Sequence, residues 1–236
     1  MYFRHSNEMW SEFPELVPGV IFADGITTDV DVGARLAGFH AIAKAIAEKR
    51  LEKGSEGEMP EIRAWRRVFA KMGLKPTQYR CASEALLRRF RQEKSLPQLH
   101  PLIDLCNAVS IAFATPIAVF DLAKISHDLE VRHATGRETY LTFAGETEHP
   151  EPGEVIFADG AGQAHARRWT NRQSGLSAVR EDTHSVLIVA EAMHQGASDD
   201  MPRLIETIAT ELAAIWPVSA KTALLSRSSP RFDVPG

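Results

Sequence analysis

The chain has 236 residues, of which 44% are hydrophobic and 25% are charged, and its formal net charge is −4. This composition is that of an ordinary globular protein, and the length allows one large domain or two small lobes with a sizeable core. No run of about 18 apolar residues is present, and the first residues do not follow a signal-peptide pattern. We therefore expect a cytoplasmic protein without a membrane partner. Cys81 and Cys106 both lie in apolar-periodic segments and are predicted to be buried, reduced thiols.

Basic residues concentrate between Glu61 and Ser95. This segment holds ten lysines and arginines against three glutamates, a net charge of +7, which leaves −11 for the rest of the chain. A basic patch on an acidic protein indicates a polyanionic partner at one face. An ordinary solvated helix surface has the same composition, so the charge pattern alone leaves both interpretations open.

The first half of the chain predicts a short strand followed by helices. Val20–Ala23 is strand-like and ends at the turn signal Asp24-Gly25. The spacing of apolar residues then predicts four helices, with Ser83 as the N-cap of the third. These helices are Val32–Leu51, Pro60–Gly73, Glu84–Arg91 and Leu102–Ala114.

The fourth predicted helix is apolar on nearly every side, which is typical of a buried helix. Its polar residues Asp104, Asn107 and Ser110 recur every third position and therefore share a narrow seam. A buried polar group without a partner costs roughly 1–3 kcal/mol. The seam is therefore expected either to brace a neighbouring element or to line a pocket. Pro116 follows the helix and separates it from the next strand.

The second half of the chain changes to short period-two runs separated by Gly, Pro, Asp and Glu, a pattern that predicts a mostly antiparallel sheet. The predicted strands are Ile117–Leu122, Leu129–His133, Thr139–Phe143, Val155–Ala158, Ala164–Trp169, Val186–Ala190 and Val218–Leu225. Asp199 or Asp200 is expected to cap a last helix, Pro202–Trp216, and Phe232–Gly236 is expected to fray. The predicted fold class is α+β, with a helical layer packed on a mostly antiparallel β-sheet or sandwich.

Known catalytic and ligand-binding motifs are absent from the sequence. There is no Cys-x-x-Cys, His-Glu-x-x-His or Gly-x-Ser-x-Gly, no phosphate loop and no glycine-rich dinucleotide fingerprint. The nine histidines are scattered without the spacing of metal ligands, so we expect neither a metal nor another cofactor. These residue patterns alone do not point to one reaction.

Six motifs occur in order between Glu61 and Ala192: Ser83-Glu-Ala-Leu-Leu-Arg-Arg, Leu96-Pro, Pro101-Leu-Ile-Asp-Leu-Cys-Asn, Pro116-Ile-Ala-Val-Phe-Asp, Gly153-Glu-Val-Ile-Phe-Ala-Asp and Arg167-Arg-Trp-Thr-Asn-Arg-Gln-Ser. In this order they resemble the free-standing B3/B4 domain family, which is similar to the editing module in the β chain of bacterial phenylalanyl-tRNA synthetase. The resemblance implies a B3/B4-like domain over residues 58–236. Residues 1–57 are interpreted as a strand-helix segment that belongs to the same core.

In the synthetase, this module hydrolyses the ester of wrongly charged Tyr-tRNA(Phe). The resemblance therefore implies trans-acting editing of mischarged tRNA by an aminoacyl-tRNA deacylase, with the aminoacylated 3′ end of tRNA as its partner. An aminoacyl ester is already activated, so a positioned water and donors facing the developing oxyanion would suffice. We assign no catalytic residue. A non-catalytic RNA-binding or aminoacyl-ligand-binding domain is the alternative, and an ordinary small-molecule pocket protein is the third interpretation.

The resemblance also indicates candidate site residues. Asp104 and Asn107 match an Asp-x-x-Asn of the module, while Pro116, Phe120 and Asp121 match its Pro-x-x-x-Phe-Asp. The residues predicted to bind the substrate are Asn107, Ser110, Pro116, Arg168, Trp169, Asn171, Arg172 and Gln173. The residues predicted to contact RNA phosphates are Arg66, Arg67, Arg88 and Arg89.

Two departures from the module bear on specificity. Ala118 stands where the synthetase has His, and the segment Arg167–Gln173 replaces its small Met-Gly-Gly-Glu sequence. The amino acid that is recognised is therefore left open. In the functional interpretation Trp169 walls a cleft between helices and sheet; in the structural one it only packs on the sheet. The site hypothesis requires Asn107, Trp169 and Arg172 to converge on one cavity.

Overall fold

Helices and strands alternate along the computed structural model, which describes residues 1–30 and 33–235. The α-helices are α1 (Asn7–Glu12), α2 (Gly33–Leu51), α3 (Pro60–Lys71), α4 (Ala82–Glu93), α5 (Pro101–Phe113) and α6 (Ala197–Ile215). The strands are β1 (Tyr2–His5), β2 (Val17–Asp24), β3 (Ile117–Asp121), β4 (Leu129–His133), β5 (Tyr140–Leu141), β6 (Thr147–Glu148), β7 (Val155–Asp159), β8 (Ala164–Arg167), β9 (Arg172–Gln173), β10 (Ser185–Ala192), β11 (Lys221–Leu224) and β12 (Arg231–Asp233). The predicted helix start at Val32 and the terminal Gly236 lie outside the described residues.

The strands form two main sheets. One has the order β12-β1-β4-β7-β8-β9, and the other has the order β11-β2-β10-β3, while β5 and β6 form a separate ribbon. Among the named strands of the described residues, every pair is antiparallel except β1 with β4. The predicted fold class, α+β with a mostly antiparallel sheet, is confirmed.

Strand β10 is the centre of the layered core, because side chains on a strand point alternately to the two faces of its sheet. Leu187 and Val189 share a buried cluster with Phe157 of β7, in the other main sheet. Val186 and Ile188 share a second cluster with side chains of α5 and α6. The four-stranded sheet is therefore covered by the six-stranded sheet on one face and by helices on the other.

Helix α5 is buried along most of its length, as its apolar sequence predicts. Its polar residues brace its own ends: Asp104 Oδ1 accepts from the Leu99 N–H at 2.9 Å, and Ser110 Oγ donates to the Thr115 carbonyl at 2.7 Å. Asn107 is only half-buried. Asp104 and Ser110 therefore each stabilise the turn at one end of the helix.

Several predicted boundaries are wrong for local reasons. Ser83 lies inside the first turn of α4, which Cys81 precedes as the cap, and α6 begins at Ala197, before Asp199. Strand β8 stops at Arg167, because the next two residues have positive φ angles. The C-terminal end does not fray at Phe232, which pairs with β1 and is buried.

The first twelve residues contain two elements that the sequence pattern did not indicate, β1 and α1. Strand β1 lies between β12 and β4, and α1 places Trp10 in the core. Strand β2 lies in the four-stranded sheet beside β10. Phe3, Trp10 and Val20 from these elements belong to the same buried cluster as Trp65 of α3 and Leu187 of β10.

The two cysteines are buried and unpaired, as predicted. Burial raises the pKa of Cys81 to about 11 and that of Cys106 to about 12. Across residues 1–30 and 33–235, the helices all fall short of the length and apolar character that a membrane crossing requires.

Gly19 is predicted to be required where α6 crosses β2. A Cβ at this position would lie 2.6 Å from Ile205 Cδ1 and 2.9 Å from Met201 Sδ. Gly19→Ala should lower the free energy of unfolding by about 1–3 kcal/mol, measured by urea denaturation. Gly38→Ala is the control, since no atom lies within 4 Å of that Cβ and α2 should tolerate alanine. Equal stability of Gly19→Ala and the unmodified chain would contradict this packing.

Candidate functional site

A cavity of about 60 Å³ opens where the start of α4, the start of β3 and the β8–β9 hairpin meet. This volume has room for about four water-sized groups. Its floor is apolar, while its edge carries amide, guanidinium and carboxylate groups. The lining residues are Ala82, Pro116, Ile117, Ala118, Phe157, Ala166, Trp169, Thr170, Asn171, Arg172, Gln173, Val189 and Glu191. An apolar pocket with a few polar groups is the usual form of a small-ligand site.

The turn after β8 forms one wall of the cavity. Arg168 and Trp169 have φ angles of 47° and 58°, in the left-handed region that residues other than Gly, Asn and Asp rarely adopt. The Trp169 N–H donates to the Val155 carbonyl at 2.7 Å, and the Asn171 N–H donates to that of Arg168 at 3.2 Å. Because Trp169 lies in this turn, its side chain does not follow the in-and-out alternation of strand β8. Its ring packs edge-on against Trp65 of α3 at 5.2 Å between ring centroids.

A buried carboxylate connects this wall to both main sheets. Glu191 on β10 is 2% exposed, and its Oε1 accepts from Trp169 Nε1 at 2.9 Å. The same oxygen lies 2.6 Å from Nε2 of His5 on β1. An ionised carboxylate offers only acceptors, so His5 Nε2 is the donor. Oε2 accepts no hydrogen bond from the residues that the structure describes, and Glu191 lines the cavity. This oxygen is available to a donor on a ligand.

Two side-chain amides hold fixed positions at the cavity. Asn171 Nδ2 donates to the Arg80 carbonyl at 2.7 Å, and Gln173 Nε2 donates to the Val119 carbonyl at 2.6 Å. Each amide therefore uses one N–H to bind neighbouring backbone. An amide has two N–H donors and one carbonyl acceptor, so each retains groups that can bind a ligand.

The outer edge of the site carries a network of opposite charges. Arg172 is 42% exposed on its side chain, and its Nη1 lies 3.0 Å from Glu148 Oε2. Arg167 is buried and forms two parallel hydrogen bonds to Glu154, both 2.9 Å long. Burial alone would raise the pKa of Glu154, but the hydrogen bonds and charge of Arg167 outweigh it, and the pKa lies below its usual value. Arg172 therefore provides the accessible positive charge at this edge.

Five of the eight predicted substrate-binding residues line the cavity: Pro116, Trp169, Asn171, Arg172 and Gln173. The other three do not. Ser110 braces α5, and the Arg168 guanidinium lies over the Tyr79 ring, 4.8 Å from its centroid.

The predicted convergence of Asn107 with Trp169 and Arg172 is wrong. Asn107 lies half-buried on α5 and is not among the residues that line the cavity, although Ile111, one turn further along the same helix, packs in the cluster that contains Trp169.

Sequence reasoning missed Glu191 and His5. The signal for Glu191 is a charged residue directly after the apolar run Val186–Ala190. A buried charge at such a position needs partners and marks a candidate site. His5 has no comparable signal, because it meets Glu191 only through the pairing of distant strands.

The four arginines predicted to contact RNA lie on α3 and α4, and they differ in whether a carboxylate already pairs with them. Arg67 is exposed and forms no ion pair with the described residues. Arg66 Nη2 lies 2.5 Å from Glu84 Oε1, whose hydrogen bond raises the pKa of Arg66. Arg89 pairs with Glu93 of its own helix at 2.8 Å.

Arg88 lies 3.8 Å from Glu56, a buried residue outside the basic segment that also pairs with Arg91 at 2.8 Å. Carboxylates therefore neutralise part of the charge that the sequence concentrates here.

Asp159 of β7, His165 of β8 and Ser177, which follows β9, form a buried Ser-His-Asp arrangement. His165 Nδ1 lies 2.8 Å from Ser177 Oγ, and His165 Nε2 lies 3.3 Å from Asp159 Oδ2. Ser177 and His165 have no exposed surface, and neither lines the cavity. A substrate has no access to this serine, so the arrangement is a packing feature.

Comparison with known proteins gives matches to one family. The model of the B3/4 domain family matches residues 64–211. The β subunit of phenylalanine–tRNA ligase from Shewanella oneidensis is 27% identical over 110 residues, which cover 46% of this chain and 14% of the relative. The corresponding subunit from Cereibacter sphaeroides is 35% identical over 66 residues, 28% of this chain and 8% of the relative. The matches therefore span a small part of these relatives.

A solved N-terminal fragment of the phenylalanyl-tRNA synthetase β-subunit from Pyrococcus horikoshii is also similar in structure. Its TM-score is 0.42 at 13% sequence identity, and the match covers 52% of this chain and 43% of that fragment.

Glu191 is predicted to stabilise the fold as well as to line the cavity. Glu191→Leu would leave the buried donors of His5 and Trp169 without an acceptor, so the free energy of unfolding should fall by about 2–4 kcal/mol. Glu191→Gln keeps an oxygen acceptor and should lose less than half as much. Denaturant unfolding measures both, with Glu93→Gln as an exposed control expected to change stability by less than about 0.5 kcal/mol. Full stability of Glu191→Leu would contradict the network.

Proposed function

Since the chain belongs to the B3/4 domain family, we propose that it edits mischarged tRNA in trans by hydrolysing the ester between the amino acid and the terminal ribose. The observation that carries the proposal is the small cavity in which an apolar floor adjoins a carboxylate oxygen and two held amides. An aminoacyl ester presents an apolar or small side chain, an ammonium group and an ester carbonyl. Each of these groups has a complementary surface in the cavity.

The α-ammonium group is assigned to Glu191. Its Oε2 has no hydrogen-bond partner among the described residues, while its Oε1 is held by Trp169 and His5. A cationic donor would neutralise a charge that is otherwise buried, which is favourable in a site of low dielectric. The apolar residues Phe157, Ile117 and Val189 would then contact the amino-acid side chain. The limited volume favours a small side chain.

The hydrolytic step needs little from the protein. Water adds to the ester carbonyl carbon, the bond to the ribose oxygen breaks, and that oxygen leaves with a proton, giving a free amino acid and deacylated tRNA. Asn171 and Gln173 retain amide groups that could orient the water or donate to the developing oxyanion. The proposed role of the protein is to position these groups, since the ester is already reactive.

The RNA is proposed to approach over α3 and α4. Ala82 at the start of α4 lines the cavity, and Trp65 of α3 packs on Trp169. Arg67 is free to contact a phosphate, whereas Arg66, Arg88 and Arg89 would exchange carboxylate partners for phosphates. Such binding weakens as salt rises.

One observation favours the alternative of a non-catalytic aminoacyl-RNA binding domain. Among the described residues, no His, Cys, Lys or Tyr side chain lines the cavity, and its one carboxylate, Glu191, is already bound to His5 and Trp169 through Oε1. A binding domain would hold the aminoacylated end through the same contacts without turnover.

Arg172→Ala is predicted to weaken substrate handling while leaving the fold intact. Loss of the accessible charge at the cavity edge should lower kcat/KM for deacylation, or the affinity where no turnover occurs, about tenfold. The measurement is release of labelled amino acid from a panel of aminoacyl-tRNAs, together with thermal unfolding. Arg35→Ala is the matched control, because the Arg35 side chain is about as exposed as that of Arg172, also pairs with a glutamate, Glu211 at 2.9 Å, and lies outside the cavity.

The outcomes separate the proposals. Release of one or a few amino acids supports editing, and retention of aminoacyl-tRNA without release supports the binding domain. Absence of binding even at low salt contradicts both. An equal loss of stability and activity in Arg172→Ala would assign that residue a structural role.

A further inference from the structure

Three residues from separate parts of the chain converge at a second site. Glu61 lies in the first turn of α3, His194 follows β10, and Asp200 lies in the first turn of α6. Each offers one ligand atom, and these atoms lie within 4.8 Å of one another. The scattered histidines argued against a metal site in the sequence, but folding creates here a grouping that no local spacing signals.

The distances within this group suit a metal ion. His194 Nε2 lies 2.9 Å from Asp200 Oδ2. Two ligands that each bind Zn²⁺ at about 2.1 Å in a tetrahedral or similar geometry are separated by about 3.0–3.4 Å. The His–Asp pair is therefore close to the spacing of two ligands. Glu61 offers the third ligand atom, within 4.8 Å of the other two.

The buried imidazole of His194 is held through one nitrogen only. Its Nε2 lies within hydrogen-bond distance of Asp200 Oδ2, whereas its Nδ1, on the other side of the ring, forms no hydrogen bond within the described residues. A cation between His194 and Asp200 would therefore bind Nε2. The Glu61 and His194 side chains are 10% and 6% exposed, whereas that of Asp200 is 34% exposed. The group thus has one open side, through which a cation and a bound water could enter.

Two arginines currently balance the charges of Glu61 and Asp200, and both are more exposed than the Glu61 side chain. Arg50 Nη2 lies 2.6 Å from Glu61 Oε2, and Arg203 Nη1 lies 3.7 Å from Asp200 Oδ1. The Glu61 oxygen nevertheless lacks a well-aligned hydrogen bond. Since long arginine side chains can swing into solvent, a divalent cation could replace Arg50 at Glu61.

We propose that Glu61, His194 and Asp200 bind a first-row divalent cation, for which Zn²⁺ is the best match. One imidazole nitrogen and two carboxylates form a three-ligand set that Zn²⁺ accepts, with water as the fourth ligand. The cation joins α3, the end of β10 and α6. Trp65, one turn after Glu61, packs on Trp169, and Glu191 precedes His194 by three residues. The site therefore clamps two elements that support the cavity, whatever ligand the cavity takes.

The test titrates Zn²⁺ into the full chain after removal of metal with a chelator. Competition with a chromophoric chelator should give one Zn²⁺ per chain, and Zn²⁺ at about 100 times its Kd should raise the thermal midpoint by about 5–10 °C. Asp200→Asn and His194→Ala should each weaken binding on the order of 100-fold. Because the Asp200 side chain is partly exposed, Asp200→Asn should fold even if His194→Ala does not.

Two further variants separate this site from adventitious binding. Arg50→Gln should retain or tighten Zn²⁺ binding, because it frees Glu61 from its competing cation. His184→Ala is the matched control, since His184 also pairs with an aspartate, Asp24 at 3.1 Å, but without a third ligand, and Zn²⁺ binding should be unchanged. The absence of saturable Zn²⁺ binding would overturn the proposal. Binding that survives both Asp200→Asn and His194→Ala would also overturn it.

Discussion

The carboxylate of Glu191 holds together the parts of the molecule that form the candidate site. His5 belongs to the six-stranded sheet, Glu191 to the four-stranded sheet and Trp169 to the turn that walls the cavity, and one oxygen joins all three. A buried carboxylate with two donors is stable only while both remain in place, because each lost partner leaves an uncompensated polar group. The position of the turn, and hence the shape of the cavity, therefore depends on the registry of both sheets.

Charge compensation recurs throughout the molecule and limits what its basic residues can do. The sequence concentrates positive charge between Glu61 and Ser95, yet two buried carboxylates, Glu84 in the first turn of α4 and Glu56 shortly before α3, pair with Arg66, Arg88 and Arg91. The surface that remains for a polyanion is smaller than the sequence suggests. A phosphate would have to compete with carboxylates for most of these arginines.

Local patterns in the sequence predicted the helices and central strands but not the contacts between distant segments. Apolar periodicity located α3, α4, α5 and β10 to within a few residues, because each buries one face or both. It placed Trp169 in a strand, since nothing local shows that Arg168 and Trp169 adopt left-handed angles that the surrounding contacts impose. The family resemblance pointed to the segment from Trp169 to Gln173, which lines the cavity, and also to Asn107, which does not. Glu191, His5 and the group around His194 arise from tertiary pairing and have no short-range signal.

The pairing of β1 with β12 has a consequence for how the protein forms. Tyr2 lies opposite Asp233, so the outer part of the larger sheet joins segments from the two ends of the described chain. Contacts across such a sequence separation carry a large loop-closure entropy and slow the folding of domains that depend on them. On a ribosome, β1 can meet its β12 neighbour only after nearly all of these residues have been synthesised. Until then the strand that carries His5 has an unpaired edge, which other chains can pair with.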